Sequence, residues 1–439
     1  MTFGEIKFTI VSRKYARVSS RSVHSLLAGP AAFRYERGVK KMGQRLLWLG
    51  LFVPLLASAQ IDPAARDLVQ FGYNQAFQGH VPIAGYAFYY HNQPDFLRTN
   101  LTLRLAVAPV YVDSNLGFVN GLGPNTDFAI GLAGGGFSDS YNEIHGGTYY
   151  PSESFEGNGA EISASAYHRF NPTEEIPLNY ILRGTAHYSD YNRDNDTAPD
   201  FQLPNNHADF SVRTGLRWGG VEPTLFPPLA MELSAWYEGH LRTDPGTYGI
   251  RNSDELESQS HLFWTEAALA YTLPKSQQSF YVRLTAGTSV DADRFSAYRL
   301  GGFLPLISEF PLSLPGYYFQ EISARQFVLL NANYLVPIDP GKLFDLDLNA
   351  STAVVDYLPG ESQPGNSLSG VGGGILYHTP SNRLKLMLNY AYGIDAIRAN
   401  GRGASSIGVL MQIDLGFMNS EKFSQPQPLP LHGWQRFFN

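Results

Sequence analysis

The sequence predicts an all-β protein, a transmembrane antiparallel β-barrel of about 14–16 strands. Three observations predict it. Of the 439 residues, 44% are hydrophobic and only 16% are charged, yet the mean hydropathy is slightly negative at −0.18, so apolar and polar residues must be interleaved. The interleaving has a period of two along most of the chain, as in strands with two different faces. Tyr and Phe gather near the ends of these segments, as in the aromatic girdles of membrane barrels.

Composition also excludes several function classes. The chain has no Cys, which removes disulfide scaffolds, thiolate zinc sites, iron–sulfur clusters and thiol nucleophiles. The formal net charge is −7, and residues 1–59 hold ten of the 32 Lys and Arg residues but only two of the 39 Asp and Glu residues, so the remainder is strongly acidic. A nucleic-acid partner is therefore not expected, because its phosphates require clustered basic surface.

A secretory signal peptide is predicted at residues 42–59. Lys40, Lys41 and Arg45 precede the apolar run 46–56, which ends in the small residues Ala57-Ser58-Ala59. The run is too short to be a membrane-spanning helix, which needs about 20 apolar residues. Residues 1–41 are interpreted as an upstream extension or a misplaced start, and a long leader or an organelle transit peptide remains the alternative.

The predicted organisation after the signal is a short periplasmic lead-in at residues 60–81, a barrel at 82–417 and a C-terminal tail at 418–439. The clearest strands are 406–417, 383–394, 208–218 and 100–107, each with large apolar side chains on alternate positions. Weaker alternation marks the other candidate strands, which are 82–91, 126–137, 159–168, 177–188, 229–240, 263–273, 279–289, 321–336, 343–356 and 367–378. A further pair is expected in 63–78 or 141–156 if the barrel has 16 strands. A soluble β-sandwich or propeller also alternates, but the aromatic strand ends favour the membrane barrel.

Short and long connections alternate along the predicted barrel. Residues 337–341 and 379–382 are read as periplasmic turns, and 138–158, 189–206, 242–259 and 292–320 as outward-facing loops rich in Asp, Asn, Gly, Pro and Ser. The polar faces of the strands are expected to line the lumen. The predicted lining residues are Arg104, Arg183, Arg213, Arg217, Arg283, Arg325, Lys385, Asp345, Asp347 and Asp414, with Glu161, Asp209, Glu232 and Glu238 beside them.

No catalytic centre is predicted. There is no Gly-x-Ser-x-Gly nucleophile elbow, and His168 and His187 on neighbouring strands are interpreted as polar lining. Glu232 and Glu238 are too far apart along one strand to share a proton. An enzyme, a metal site and a cofactor are therefore not expected, and an outer-membrane hydrolase is the least favoured function.

Residues 299–417 resemble the C-terminal part of the bacterial surface antigen superfamily, which contains the BamA-type and two-partner-secretion barrels. The resemblance rests on three groups of residues in chain order. The first is Leu300-Gly301-Gly302-Phe303 followed by Leu314-Pro315-Gly316-Tyr317, and the second is 333–338 followed by Val354-Val355-Asp356. The third is a penultimate hairpin, 372–379 with 383–392, before a closing strand that ends Leu415-Gly416-Phe417 and is similar to the family's assembly signal.

The resemblance implies a barrel of 16 strands whose long loop folds back into the lumen. In the family an Arg at the loop tip pairs with an Asp of the inner wall. Here Pro315 stands where that Arg would be, while Gly316, Tyr317 and the candidate wall partner Asp356 match. The family's ion pair is therefore not expected in its usual form.

A second departure from the family is expected before the barrel, because residues 60–81 leave no room for periplasmic polypeptide-binding repeats. The resemblance still implies an outer-membrane location, contact with outer-membrane lipids and with the barrel-assembly machinery, and a periplasmic protein partner. Its functional implication is a component of outer-membrane protein assembly, secretion or translocation. The alternative is a passive or substrate-selective channel in which the same loop forms the constriction.

Overall fold

The computed structural model describes residues 61–79 and 84–416, which form a closed antiparallel barrel of 16 strands. This confirms the predicted fold class. The barrel strands are β1 (Arg66–Ala76), β2 (Ala84–Gln93), β3 (Leu101–Val107), β4 (Tyr111–Gly123), β5 (Thr126–Gly135), β6 (Glu156–Arg169), β7 (Leu178–Asn192), β8 (His207–Gly220), β9 (Leu229–Arg242), β10 (Gln259–Thr272), β11 (Ser279–Val290), β12 (Ile322–Pro337), β13 (Phe344–Tyr357), β14 (Ser367–His378), β15 (Leu384–Arg398) and β16 (Gly401–Asp414).

Each strand pairs with its neighbours in sequence, and β1 closes the barrel by pairing with β16 from Leu68↔Asp414 to Ala76↔Ser406. The loops hold only short elements. These are the strands Ile144–His145, Thr148–Tyr149, Phe201–Gln202, Thr247–Ile250, Asp254–Glu255 and Tyr298–Leu300, and the 3-10 helix Pro151–Glu153. Within the described residues no helix is long and apolar enough to cross a bilayer.

The two strands that complete the sixteen are β1 and β4. The first lies in the segment 63–78 that was considered for a hidden strand, so the predicted lead-in at 60–81 is wrong and the barrel begins at Arg66. The segment 141–156 is a loop and contributes no complete barrel strand. The missed strand β4 follows β3 after a turn of only three residues, and Ser114 interrupts the apolar side chains on its outward face, which weakens the alternation.

Several predictions lie outside the described residues. These are the upstream extension at 1–41, the signal peptide at 42–59, Phe417 of the assembly signal and the tail at 418–439. The last strand itself ends at Asp414, before the predicted barrel end at residue 417.

The two faces of the wall have opposite chemistry. Large apolar side chains point outward and stay more than half exposed, as with Leu132, Ile162, Leu233, Leu269 and Leu388. The inward positions of the same strands carry most of the buried Arg, Asp, Glu, Asn and Ser residues. An outer apolar band with a polar interior is the arrangement of an outer-membrane barrel, and the protein is a bacterial outer-membrane protein.

All four long loops lie at one end of the barrel, as predicted from the alternation of lengths. They are residues 136–155, 193–206, 243–258 and 291–321. We call this the outer end and the opposite end the periplasmic end, following the usual orientation of such barrels. Both ends of the described chain lie at the periplasmic end, because the strand number is even.

Candidate functional site: an occluded barrel lumen

The loop between β11 and β12 folds back into the lumen, as the family resemblance implies. Its two limbs are pinned together where the N–H of Leu314 donates to the carbonyl of Gly302 at 2.9 Å and the N–H of Gly301 donates to Leu312 at 3.0 Å. The segment between these contacts, residues 303–313, is called the plug here. Gly302 adopts a φ of +65°, a conformation that a residue with a side chain rarely takes.

The residues after the plug lie against a glycine pair in the wall. Gly370 of β14 faces Gly393 of β15 in the sheet, and a side chain added to Gly370 would collide with the carbonyl oxygen of Pro315. Gly316 adopts a φ of +87° with its Cα close to the backbone of Gly393. The side chains of Leu314 and Tyr317 are fully buried. The wall therefore has a depression made by missing side chains, and the loop tip occupies it.

Beneath the plug, three Arg–Glu pairs line the inner wall of β8–β11. The Nε atom of Arg217 lies 3.0 Å from Glu232 and the guanidinium of Arg213 lies 2.7 Å from Glu238. Arg283 pairs with Glu266 at 3.4 Å, which completes the set. All six side chains are largely buried, so each charge depends on its partner for compensation.

The plug adds a fourth carboxylate to this wall. Glu309 lies 2.5 Å from Nη2 of Arg217 and 3.8 Å from Nη1 of Arg213, so it bridges the two guanidinium groups. The polarity of this contact is reversed relative to the family pattern, because the loop supplies the anion and the wall supplies the cations. Pro315 stands where the resemblance would place an arginine, and Glu309 provides the electrostatic anchor from another part of the loop.

Aromatic packing reinforces the ionic anchor. Phe310 meets Trp236 edge to face with ring centroids 5.3 Å apart, and meets Trp264 in the same way at 5.5 Å. Arg217 and Arg213 lie over the two indole rings, 4.9 Å and 5.3 Å from the ring centres. The plug is therefore held by a charge contact and an aromatic contact on adjacent residues.

Two further contacts hold the limbs of the loop. At the outer end, Asp293 pairs with Arg242 of β9, and both are buried. At the end of the plug, the side-chain amide of Asn331 donates to the carbonyl of Ser313 at 2.7 Å. The loop is thus attached to the wall at its start, at its deepest part and at its return.

The periplasmic mouth is covered by the turn between β8 and β9, residues 221–228. The side chain of Gln70 on β1 donates to the carbonyl of Pro223 at 3.0 Å, and the N–H of Leu225 donates to Gln412 on β16 at 2.9 Å. Lys385 on β15 donates to the carbonyl of Leu225 at 2.5 Å. The turn therefore crosses from β8–β9 to the opposite wall and bonds to both strands that close the barrel.

We expect the Gln412→Ala variant to release this turn. The substitution removes the acceptor for the N–H of Leu225 and for the side chain of Gln70, which lies 2.8 Å away. Losing a buried hydrogen-bond partner costs about 1–3 kcal/mol, so amide exchange at Leu225 should accelerate about tenfold or more. Exchange measured by mass spectrometry checks this, with the outward-facing Gln326→Ala as control. Equal exchange in the two variants would show that the turn is held by other contacts.

At the outer end the loops form a cap with an apolar core of its own. Its buried members are Tyr141, Phe155, Tyr191, Phe201, Tyr248 and Leu256, with Phe295 packed against them. These residues come from all four long loops and the end of β7. Because aromatic side chains bury large areas, the cap is a packed structure rather than a set of independent loops.

Arg294 joins the loops of the cap electrostatically. Its guanidinium lies 2.6 Å from Glu143, 2.7 Å from Glu361 and 3.2 Å from Asp254, each in a different loop. Burial raises the pKa of Glu361 to about 7, the negative charge of Glu143 adds to the shift and Arg294 opposes it. Burial also raises the pKa of Glu143, again opposed by Arg294.

The cap should therefore loosen as the pH rises through about 7. The folded cap favours the protonated form of Glu361, so this stabilisation is fully present below its ordinary pKa of 4.5 and is lost as the pH passes the raised value. Glu143, Asp254, Arg294 and Arg299 are the charged groups that face it. A nitroxide attached in a Ser253→Cys variant should gain mobility between pH 5 and pH 8. Adding Glu361→Gln should flatten the change, and an unchanged pH response in that variant would contradict the assignment.

Most predicted lining residues face the lumen and have partners there. Arg104 pairs with Asp113 at 2.8 Å, Arg183 pairs with Glu161, and Asp345 lies 3.3 Å from His378. Arg213, Arg217, Arg283 and Lys385 lie in the contacts described above. Asp347 accepts hydrogen bonds from three asparagines of the wall: Asn333, Asn349 and Asn389.

Two predicted inner-wall residues lie on the outward face instead. Arg325 and Asp356 pair with each other at 2.7 Å, and their side chains are 51% and 48% exposed. The reason is a register shift between Ala324 and Gln326, which reverses the alternation of β12 at Arg325. Asp356 is on the outer side because its neighbour Val355 points inward. The expected wall partner of the loop tip is therefore not Asp356.

The remaining predicted residues lie at the end of the barrel. Asp414 pairs in register with Leu68 of β1, and its carboxylate accepts the N–H of Gly416 at 3.0 Å. The N–H of Leu415 donates to the carbonyl of Asp67 at 2.7 Å. The described part of the assembly signal thus continues the contact between the last and first strands.

The residues that anchor the plug include one that sequence reasoning missed. Glu309 is the only charged residue in the segment 303–313, which is otherwise apolar except for Ser308 and Ser313. A single carboxylate in an apolar stretch of a loop was the available signal, since such a group needs a partner when it is buried. Arg294 and Asp293 had no comparable signal, because their partners come from distant loops.

A cavity lies between the plug and the periplasmic turn. It is lined by Arg217, Glu222, Glu266, Arg283 and Asn331, with Phe303 and Leu306 from the plug side. Within the part of the chain that the structure describes, no group of three or more His, Asp or Glu side chains is arranged to hold a metal ion. The cavity therefore has charged wall residues on one side and apolar residues of the plug and of the periplasmic turn on the others.

Solved structures of other proteins are similar to this fold. CdiB from Acinetobacter baumannii aligns with a TM-score of 0.52 and 8% identity over 80% of this chain. CdiB from Escherichia coli aligns with the same TM-score and 11% identity over 80% of this chain. This chain has the fold of the CdiB barrels. It spans 60% and 64% of the length of those two CdiB chains.

A structure of BamA from Haemophilus ducreyi that lacks POTRA domains 1–3 aligns with a TM-score of 0.49 and 13% identity, covering 85% of this chain and 78% of that chain. No family model matches the sequence, and no curated protein matches it. The likeness to the CdiB barrels is thus one of fold, carried by the strand topology rather than by shared residues.

Proposed function

We propose that this protein is a gated outer-membrane barrel that takes part in the assembly, secretion or translocation of polypeptides. The observation that carries the proposal is the plug, which is bonded to the wall through Glu309 and Phe310. A passive channel needs an open water path, whereas here the cap, the plug and the periplasmic turn lie across the lumen in series. The CdiB-type fold and the resemblance to surface antigen barrels support the same class of function.

The chemistry of the plug suits a reversible gate. Its anchor consists of one carboxylate shared by two guanidinium groups that already have wall partners, Glu232 and Glu238. When the plug leaves, Arg213 and Arg217 keep these carboxylates, so no isolated charge remains buried in the wall. The wall can therefore exist with or without the plug, as a translocation path requires.

The experiment compares the full chain with a variant whose plug is tethered. The chain has no Cys, so Ser313→Cys with Asn331→Cys can be joined by a short bifunctional maleimide, which replaces the 2.7 Å contact between these two residues with a covalent link. Refolded protein is placed in a planar bilayer, and an unfolded polypeptide is added to the periplasmic side. We expect a nearly silent barrel that shows transient openings with polypeptide, and no openings once the plug is tethered.

The alternative function, a passive or substrate-selective channel, gives different results in the same apparatus. A steady conductance without polypeptide, together with flux of small sugars into vesicles, would support the channel and contradict the gate. The same conductance in the tethered variant would show that the plug does not lie on the path.

A further inference from the structure

The barrel wall is unusually low at β3. This strand has seven residues, whereas β6, β8 and β9 have 14. It pairs with β2 only at Tyr89–Gln93, although β2 continues outward to Ala84 and pairs with β1 over that length. Among the described residues, no strand pairs with the β3-facing side of Ala84–Ala87. We call this segment the β2 edge.

The hairpin tip beside the β2 edge has the composition of a segment in contact with lipid. The turn from β3 to β4 is Ala108-Pro109-Val110, without a polar side chain, in contrast to the outer turn 358–366, which contains Glu361, Ser362 and Gln363. Val107, Val110 and Val112 are 39%, 52% and 44% exposed. A strand needs about 9–11 residues to cross a bilayer at a tilt, which β3 lacks. The hairpin therefore ends within the outer half of the hydrocarbon layer, and the β2 edge faces lipid above it.

The β2 edge is accessible from the membrane and closed from the lumen. Its outward residues, Gly85 and Ala87, are small and exposed, so the backbone can be approached closely. Its inward residue Tyr86 is buried in an apolar cluster with Phe303 and Leu306 of the plug. The opening in the wall thus leads to a backbone edge and not into the cavity between the plug and the periplasmic turn.

We propose that the β2 edge binds an extended apolar polypeptide segment by strand addition from the outer leaflet. Backbone N–H and C=O groups in hydrocarbon require hydrogen-bond partners, and acyl chains have none to offer. An extended peptide supplies both donors and acceptors, and apolar side chains at alternate positions match the lipid on its outer side. That the bound segment belongs to a polypeptide handled by this barrel rests on the proposed function, whereas the binding itself does not depend on transport.

The test uses the absence of Cys in the chain. The full chain carrying Ala87→Cys is refolded into vesicles, and heat-modifiable migration verifies that it is folded. The matched control is Ala235→Cys, which is also outward-facing and exposed, but lies on β9 with strands paired at both sides. The probe is a membrane-soluble peptide of about ten alternating Val and Thr residues with one central Cys. A second probe has Pro at every other position and cannot form a ladder.

Under mild oxidation the Ala87→Cys variant should form a disulfide with the Val/Thr peptide at least about ten times faster than the Ala235→Cys variant, and the Pro peptide should lose this advantage. Equal rates at the two sites, or equal rates with the two peptides, would overturn strand addition. Crosslinking of two copies of the chain in place of the peptide would show that a second copy covers the edge, which also overturns the proposal. If the Val/Thr peptide crosslinks preferentially to the Ala87→Cys variant but added polypeptide does not open the barrel in the planar bilayer, the binding site at the β2 edge stands and only the proposed function is contradicted.

Discussion

The Glu309→Arg variant should convert a nearly silent barrel into one with frequent, large conductance. The substitution places a third guanidinium beside Arg213 and Arg217, where the wild type has a carboxylate 2.5 Å from one of them and 3.8 Å from the other. Breaking a buried ion pair costs about 3–5 kcal/mol. The cost here should lie at the lower end of that range, because both arginines keep their wall glutamates. A change of about 3 kcal/mol shifts the plug equilibrium about a hundredfold.

Planar-bilayer recording of the refolded chain measures this effect as the fraction of time spent open. The Glu309→Gln variant keeps the size of the side chain and loses only its charge, so its open fraction should fall between those of the wild type and Glu309→Arg. Glu257→Gln, an exposed carboxyl in another outer loop, serves as the control for general loss of acidic charge. An open fraction that is the same in Glu309→Arg and Glu257→Gln would rule out the ionic anchor.

The Gly316→Ala variant should displace the loop tip from the wall. A Cβ at this position would lie 1.8 Å from the backbone nitrogen of Gly393, well inside any permissible contact, and the backbone on both sides is fixed by the barrel. The residue also has a φ of +87°, a conformation that costs a non-glycine residue about 1–3 kcal/mol. Both effects act in the same direction, so the tip should leave the depression formed by Gly370 and Gly393.

Gly360 offers a matched control for this substitution. It has a φ of +88° in another outer loop, and nothing lies within 4 Å of the position that its Cβ would take. Gly360→Ala therefore carries the backbone strain without the collision. We expect protease cleavage within residues 303–320 of folded Gly316→Ala and protection in Gly360→Ala. Equal protection in both variants would mean that the wall yields to the added methyl group.

The predictable part of this fold comes from local alternation. A strand with one face in lipid and one in the lumen must alternate apolar and polar residues, so segments such as 383–394 and 406–417 could be recognised without any partner. Loop lengths gave the direction of the barrel for a similar reason, since turns between neighbouring strands are short at the periplasmic end. The strand β4 was missed because Ser114 interrupts its apolar outward face, which weakens the local alternation.

The candidate site was predictable to a smaller extent. The inward faces of β8 and β9 follow from alternation, and with them Arg213 and Arg217. Arg325 and Asp356 were predicted on the wrong face of the wall. The register shift in β12 and the inward or outward direction of each residue of β13 depend on how these two strands pair. Glu309 was not identified because a loop residue has no periodic neighbours that reveal its direction.

The sequence by itself therefore determined the barrel, its approximate strand number and the chemistry of its two surfaces, because all three depend on residues close together in the chain. Only the tertiary structure decided which charges meet. The anchor of Glu309 joins residues more than 90 positions apart, and the contact of Gln412 with the periplasmic turn spans 187 positions. The low wall at β3 likewise depends on the register between strands. Only the pairing of β3 with β2 shows which part of β2 has no neighbouring strand on that side.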